Sequence, residues 1–265
     1  MSYRFTILGC GSSGGVPRIG NDWGMCDPTN PKNRRLRCAG LVERRDRGGV
    51  TTVLIDTGPD LRQQLLSVRL EVLDGVLYTH DHADHTHGID DLRPLFYRSK
   101  RRVPVWCDEP TRASLLSRFG YCFAGRPGTS YPPILTVHDI RPPAPVRIEG
   151  SGGVIETTPV VQKHAEMVSL GFRFRGLAYS PDVSGLPEDS IPLLEGLDVW
   201  IVDALRHKPH PSHFTVKTAV EWIERLQPKR AILTHLHVDL DYEALKRELP
   251  PHVEPAYDGM VVDFD

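Results

Sequence analysis

The sequence predicts an α/β fold in which two mixed β-sheets pack together, flanked by helices, as a single domain over residues 1–265. Three observations carry this. Apolar runs of strand length recur in both halves of the chain. Stretches of helical periodicity alternate with them. The residues richest in chemistry are divided between the halves, so neither half is complete alone.

Taken in order, "YRFTILG" (3–9), "AGLVERR" (39–45) and "TTVLID" (51–56) read as strands. The connection between the first two is long and rich in Gly, Pro, Asn and Arg; ordered loops of such length are uncommon and often functional. "PDLRQQLLSVRL" (59–70) has helical periodicity behind a proline. "GVLYT" (75–79) is a short apolar run, "DDLRPLFYRS" a short helix, "VPVWC" (103–107) a strand and "EPTRASLLSRFG" a helix stopped by Gly120. The stretch 124–152 has the Pro- and Gly-rich composition of a linker. Strands resume at "GVIETTPV" (153–160), "VSLGFRFR" (168–175) and "LAYS" (177–180). "LDVWIVDA" (197–204) is a buried strand, "HFTVKTAVEWIERLQ" (213–227) a helix and "RAILTH" (230–235) a strand. "DYEALKREL" (241–249) is a helix, and the strand "MVVDF" (260–264) closes the chain.

Composition narrows the function. A hydrophobic share of 40%, a charged share of 25% and a net charge of −2 are ordinary globular values. Such a balance provides no long-range attraction to nucleic acid or to an anionic membrane, so neither is expected as a partner. Five irregularly spaced cysteines argue against a disulfide framework and for a reducing compartment. "MSYRFTILGCGSS" lacks the basic region and long apolar run of a signal peptide, and no stretch approaches the roughly 18 apolar residues of a membrane span. The expectation is a cytoplasmic protein, with a homodimer left open.

The sequence "YTHDHADHTHGIDDL" (78–92) concentrates histidines and acids to a degree that surface decoration does not explain. His80 and His82 are two apart and point the same way on an extended segment. Asp84 and His85 follow as the chain turns. One loop thus offers two imidazoles to one point and a carboxylate plus an imidazole to another. Imidazole with carboxylate suits Zn²⁺, Fe²⁺ and Mn²⁺. Further ligands are needed, and His164, Asp182 and His235 each stand where an apolar run gives way to a turn. His237 competes with His235, but strand position favours His235. His87 falls outside the pattern.

The loop "THDHADH" (79–85), followed in order by His164, Asp182 and His235, resembles the His-x-His-x-Asp-His signature of the metallo-β-lactamase-fold hydrolases. "LGCGSSGGVP", "RCAGLVE" and "HPSHFT" are similar to the branch that includes the phosphoribosyl cyclic phosphate phosphodiesterase and, more distantly, the tRNA 3′-processing ribonucleases. The resemblance implies an αββα sandwich with a dinuclear site at its edge. By that pattern His80, His82 and His164 hold one metal, Asp84, His85 and His235 the other, and Asp182 bridges them. The metals would be Zn²⁺ or Mn²⁺. The implied activity is hydrolysis of a small phosphodiester, cyclic or nucleotide-like, by a hydroxide shared between the metals and oriented by Asp84. Kept beside it are a ribonuclease, a thioester or lactam hydrolase, and a carrier that retains the fold without turnover. Members of that branch can carry a structural zinc on clustered cysteines in the first long loop. Only Cys26 stands there, so this zinc is expected to be absent.

Three histidines, His207, His210 and His213, crowd the loop before the 213–227 helix. Ser212 is a plausible N-cap, which places His213 in the first helical turn. The resemblance implies that His213 is a catalytic residue outside the ligand set, the proton donor to the departing oxygen. "GCGSSGGVP" (9–17) reads either as a phosphate-cradling turn or as a glycine-rich connection passing close to the metals. The basic runs Arg34–Arg37 and Arg98–Arg102 would favour a phosphate substrate if they lined the site.

Overall fold

In the computed structural model, the described residues are 1–125, 128 and 130–265. Six strands come first: β1 (Ser2–Gly9), β2 (Ala39–Asp46), β3 (Gly49–Ile55), β4 (Gly75–Leu77), β5 (Val103–Cys107) and β6 (Leu135–Asp139). Interspersed with them are helices α1 (Leu61–Ser67), α2 (Ala83–Thr86), α3 (Arg93–Ser99) and α4 (Glu109–Phe123). There follow β7 (Val146–Ile148), β8 (Ile155–His164), β9 (Met167–Phe174), β10 (Leu177–Ser180), β11 (Val199–Asp203), α5 (Val216–Leu226), β12 (Arg230–Thr234), α6 (Tyr242–Glu248), β13 (Val253–Pro255) and β14 (Met260–Phe264). One sheet has the order β14-β1-β2-β3-β4-β5-β6, the other β13-β12-β11-β10-β9-β8-β7. Both are mixed: β3 to β6 run parallel, as do β10 to β13, and the remaining neighbours are antiparallel. This is the two-layer arrangement of mixed sheets that the sequence predicts.

Alternation along the strands explains the layering. Phe5 and Ile7, Val53 and Ile55, Phe172, Tyr179, Ile201 and Ile232 point inward and pack together between the sheets. Their immediate neighbours point out under the helices. Leu8 and Leu54 meet Leu61 and Leu115 of α1 and α4, while Trp200, Val202 and Leu233 meet Ile223 and Leu245 of α5 and α6. Strands buried on both faces must be apolar throughout, which is why "VLI" and "WIV" show no polar alternation. Each such side chain contributes roughly 1.5–3 kcal/mol when fully buried.

Three elements differ from the sequence reading. The helix α4, capped at its start by Asp108, runs past Gly120 to Phe123 with a kink at Phe119, because Gly120 does not adopt the left-handed conformation that would end it. The linker-like stretch 124–152 contributes β6 and β7; of it, Arg126, Pro127 and Thr129 lie outside the described residues. The helix α5 starts later than expected. Its N-cap is Thr215, whose Oγ1 accepts from Thr218 N–H at 3.0 Å, so Ser212 is not the cap and His213 precedes the helix.

The long first connection is tied down by Arg35, which is 1% exposed. Its guanidinium donates to the carbonyl oxygens of Leu240 at 2.8 Å and His237 at 3.3 Å and to Asn33 Oδ1 at 3.2 Å. Cys26 packs beside Val16 and Val238, with its thiol 3.3 Å from two carbonyl oxygens, of Val238 and Leu240. No described helix is long and apolar enough to cross a membrane.

Candidate metal centre

Every expected ligand sits at one edge of the sandwich, beyond the C-terminal ends of strands. The loop after β4 carries His80, His82, Asp84 and His85; β8 ends on His164; Asp182 follows β10 and His235 follows β12. Backbone conformation helps to aim them. Asp56 (φ 65°), Asp182 (φ 52°) and His235 (φ 60°) all adopt left-handed conformations that side-chain-bearing residues rarely take. Such strain persists only where the surroundings enforce it, and it concentrates at functional sites. Gly58 is required for a related reason: a Cβ there would collide with the carbonyl oxygen of Asp84.

Among the described residues, five groups of three have ligating atoms mutually within 4.8 Å; two of them, His164–Asp182–His213 and Asp203–His213–His235, include His213, and the other three are made of the expected ligands. His80, His82 and His164 form one, Asp84, His85 and His235 a second, and Asp182 joins His80 and His85 in a third that connects them. The structure therefore brings all seven expected residues together, in the two groups the resemblance implies and with Asp182 between them. His87 is outside, packed against Phe119 with ring centroids 5.4 Å apart. His237 is also outside, turned to Asp239 at 3.1 Å.

The hydrogen bonds show what the ring nitrogens are for. The carboxylate of Asp56, completely buried, accepts from the Thr79 amide and hydroxyl, both at 2.8 Å, and lies 2.7 Å from His85 Nδ1. The His85 proton is therefore on Nδ1, and its Nε2 presents a lone pair. The Thr79 hydroxyl gives its proton to Asp56, so at 3.0 Å it accepts from His80 Nδ1, again leaving Nε2 bare. His164 Nδ1 donates to the Ser212 carbonyl at 2.7 Å. One carboxylate and one carbonyl thus fix three tautomers. The free ring nitrogens then face carboxylate oxygens: His85 Nε2 lies 3.2 Å from Asp182 Oδ2 and 3.4 Å from Asp84 Oδ2, and His235 Nε2 lies 3.3 Å from Asp182 Oδ1. His80 Nε2, His85 Nε2, His235 Nε2 and Asp182 Oδ2 are buried without a hydrogen-bond partner. Lone pairs converging in a buried space are costly unless a cation lies between them, so the cluster could hold metal ions. The donor set fits divalent metal ions of the borderline class.

The electrostatics agree. Burial, with help from neighbouring imidazoles, pushes His80 and His164 below the usual histidine range, keeping them neutral as ligands must be. Burial opposes charge on His85 too, but the carboxylates of Asp182, Asp84 and Asp56 overcome it and raise its pKa, a proton substituting for a cation. Burial works against ionised Asp84 and Asp182; His85 and His235 reverse this and hold both carboxyls below their ordinary range.

Next to the ligands stands His213. Its Nδ1 is 2.7 Å from Asp203 Oδ2, and its ring stacks on His235 with centroids 4.5 Å apart. Burial lowers its pKa and Asp203 more than compensates, so the net shift is upward. Asp203 and Asp56 were not singled out from the sequence. Each ends an apolar run, "WIVD" and "VLID", the same signal that marks the ligands.

Most of the Gly-rich turn is tied into the structure as a connection. The amides of Gly11, Ser12, Gly15 and Val16 are all bonded to protein carbonyls, and Gly11 bridges to Leu236 beside His235. Cys10 is fully buried, with its thiol 3.3 Å from Asp258 Oδ1. Of the basic runs, Arg34–Arg37 is consumed by structure: Arg35 as above, Arg34 over the Trp23 ring at 5.3 Å, and Arg37 paired with Asp60 at 2.8 Å. Arg98–Arg102 precedes β5 and lies at the opposite ends of the parallel strands from the ligands.

Sandwich and ligand set together define a metallo-β-lactamase-fold hydrolase. The chain belongs to the β-lactamase superfamily: residues 51–236 match the model of the Beta-lactamase superfamily domain. It is 37% identical to a diphosphatase from the PhnP family, covering 100% of this chain and 98% of that one with a TM-score of 0.89. The fold is shared with the Zn²⁺-bound PqqB from Methylobacterium extorquens, at 17% identity, 98% and 100% coverage and a TM-score of 0.75. An octanoyltransferase of Porphyromonas gingivalis (strain ATCC BAA-308 / W83) is 32% identical over 99% of this chain, which spans 52% of that relative's length.

Proposed function

We infer that the protein hydrolyses a phosphorus–oxygen bond in a small phosphodiester, using two divalent ions, Zn²⁺ or Mn²⁺, held by His80, His82, Asp84, His85, His164, Asp182 and His235. The observation that carries this reading is the Asp203–His213 pair set against the ligand cluster. It provides an imidazole beyond the seven residues assigned to the ions, although its ligand atom lies within 4.8 Å of those of His164, Asp182 and His235; Asp203 fixes it and raises its pKa. Two divalent ions at such a site supply Lewis-acid polarisation and a nucleophile at neutral pH. Asp203 accepts from His213 Nδ1, so the proton that His213 gives up is the one on Nε2, directed to the departing oxygen. Asp84, which is only partly buried, orients the attacking water.

The diphosphatase relative supports phosphorus chemistry and favours one second reading, cleavage of a diphosphate linkage. The octanoyltransferase relative does not carry acyl transfer to this chain, because nearly half of that protein lies outside the match. The test is turnover of bis(p-nitrophenyl) phosphate with and without added Zn²⁺ or Mn²⁺. The diester should be preferred over p-nitrophenyl phosphate, since a monoanion repels a hydroxide-like nucleophile less than a dianion does. Comparable rates on both would count against the diester, and activity on a thioester with none on either phosphate would overturn the reading.

A further inference from the structure

The loop between β11 and α5 holds a second histidine, His210, whose chemistry is fixed as firmly as that of His213. The loop is closed at its base by Leu205 N–H to the Phe214 carbonyl at 3.0 Å and Val216 N–H to the Arg206 carbonyl at 3.1 Å. The Arg206 side chain folds back onto the carbonyls of Lys208 and Pro209. At its tip, Ser212 faces both ways. Its carbonyl accepts from the ligand His164, and its amide and hydroxyl lie 3.3 Å and 3.0 Å from His210 Nδ1. A backbone N–H can only donate, so His210 Nδ1 accepts, and a neutral imidazole then carries its proton on Nε2. Burial, reinforced by His213 and Arg206, lowers the His210 pKa and keeps the ring neutral. The ring is only partly buried and lies beside His213, centroids 5.1 Å apart. Among the described residues nothing accepts from its Nε2. The site edge therefore carries a neutral, orientation-locked N–H donor next to the residue that protonates the departing oxygen.

We propose that His210 contacts substrate, donating from Nε2 to an oxygen that the leaving group bears next to the departing oxygen, and so selects leaving groups that have one. The shared chemistry is a vicinal oxygen acceptor: a hydroxyl on a polyol or sugar, or a non-bridging oxygen of a second phosphate. This rests on the phosphorus–oxygen hydrolysis inferred above.

The test compares metal-loaded wild type with His210→Ala, His210→Asn and His210→Gln on three substrates. Methyl phenyl phosphate releases a phenolate without a neighbouring oxygen. Methyl 2-hydroxyphenyl phosphate releases one with a hydroxyl beside the departing atom, at similar leaving-group basicity. Methyl diphosphate releases phosphate. Asparagine reproduces the Nδ1 acceptor that Ser212 uses, whereas glutamine reproduces the Nε2 donor. Wild type should favour the 2-hydroxyphenyl ester or the diphosphate over the phenyl ester. His210→Ala and His210→Asn should lose kcat/KM on the favoured substrate by roughly five- to tenfold, the worth of one neutral hydrogen bond. Their rates on the phenyl ester should hold within about twofold, and His210→Gln should keep most of the preference. Loss confined to the 2-hydroxyphenyl ester identifies a hydroxyl as the acceptor, and loss confined to the diphosphate identifies a second phosphate. Equal losses on all substrates, rescue by asparagine and not glutamine, or reduced metal content would overturn the proposal and leave His210 a loop support. No wild-type hydrolysis of any of the three would instead overturn the functional reading, and this inference with it.

Discussion

Two buried aspartates grip two histidines in the same way. Asp56 Oδ2 lies 2.7 Å from His85 Nδ1, and Asp203 Oδ2 lies 2.7 Å from His213 Nδ1. The opposite nitrogens differ. His85 is wholly buried, and its Nε2 faces oxygens of Asp84 and Asp182 within 3.4 Å. His213 is 10% exposed at its side chain, and among the described residues only Asp203 brings a carboxylate within 4.0 Å of it. On the proposed reading the same pair holds a metal in one place and delivers a proton in the other, although the His213 ligand atom also lies within 4.8 Å of those of His164, Asp182 and His235. What decides is the face the free nitrogen sees, not the pair itself.

The largest expected effect comes from the residue proposed to bridge the two ions. Asp182→Ala should release at least one of the two ions and lower turnover on the order of 10³-fold or more, since each ion contributes several kcal/mol to the transition state. Retention of two equivalents by elemental analysis would show that Asp182 does not bridge. Asp56→Asn comes next. An amide must turn an NH₂ toward either Thr79 N–H or His85 Nδ1–H, so it cannot accept all three bonds. Metal affinity should fall about 10- to 100-fold, and chelator titration against wild type would measure it. In Asp203→Asn both ions should stay bound, and the difference should appear in pH dependence. Asp203 raises the His213 pKa. With His213 as the proposed acid, turnover should persist above the ordinary histidine range and fall as pH rises through the raised value; the amide should move that fall toward acid. The pairing also stabilises the fold fully below about pH 6.5, and this contribution is lost as pH rises through the raised pKa. The smallest effect is expected at Cys26→Ala, about 1 kcal/mol or slightly more from lost thiol contacts, with metal content unchanged at two. A third ion lost with Cys26 would contradict the reading of that loop as held by Arg35 and packing.

The clustering of the candidate ligands was legible in the sequence because metal chemistry restricts residue types and strand ends restrict positions. "HDHADH" places two donors on one side of an extended segment and two more after the turn, and the structure sets the His80 and His82 rings 4.5 Å apart. Asp56 and Asp203 escaped notice because their partners are distant in sequence, 29 residues away for His85 and 10 for His213. An acid ending an apolar run gives a signal only once the partner is known. The start of α5 was misread for a different reason. Ser212 and Thr215 are both good caps, but Ser212 spends its carbonyl, amide and hydroxyl on His164 and His210, which leaves capping to Thr215. His213 therefore precedes the helix, and its charge is governed by the carboxylate of Asp203. The role of Arg34–Arg37 was invisible for a similar cause: a run of positive charge reads as solvated surface, whereas Arg35 finds its carbonyl partners 202 and 205 residues further along the chain.

The division of labour between the two pairs is tested most directly by His213→Ala, assayed for bound metal and for turnover of two diesters that differ only in the basicity of the leaving group. Metal content should stay at two. Turnover should fall on the order of 10²–10⁴-fold for an alkoxide leaving group and far less for p-nitrophenolate, which leaves without a proton. Equal losses on both esters, or loss of an ion, would contradict the assignment and make His213 a binding residue like His85.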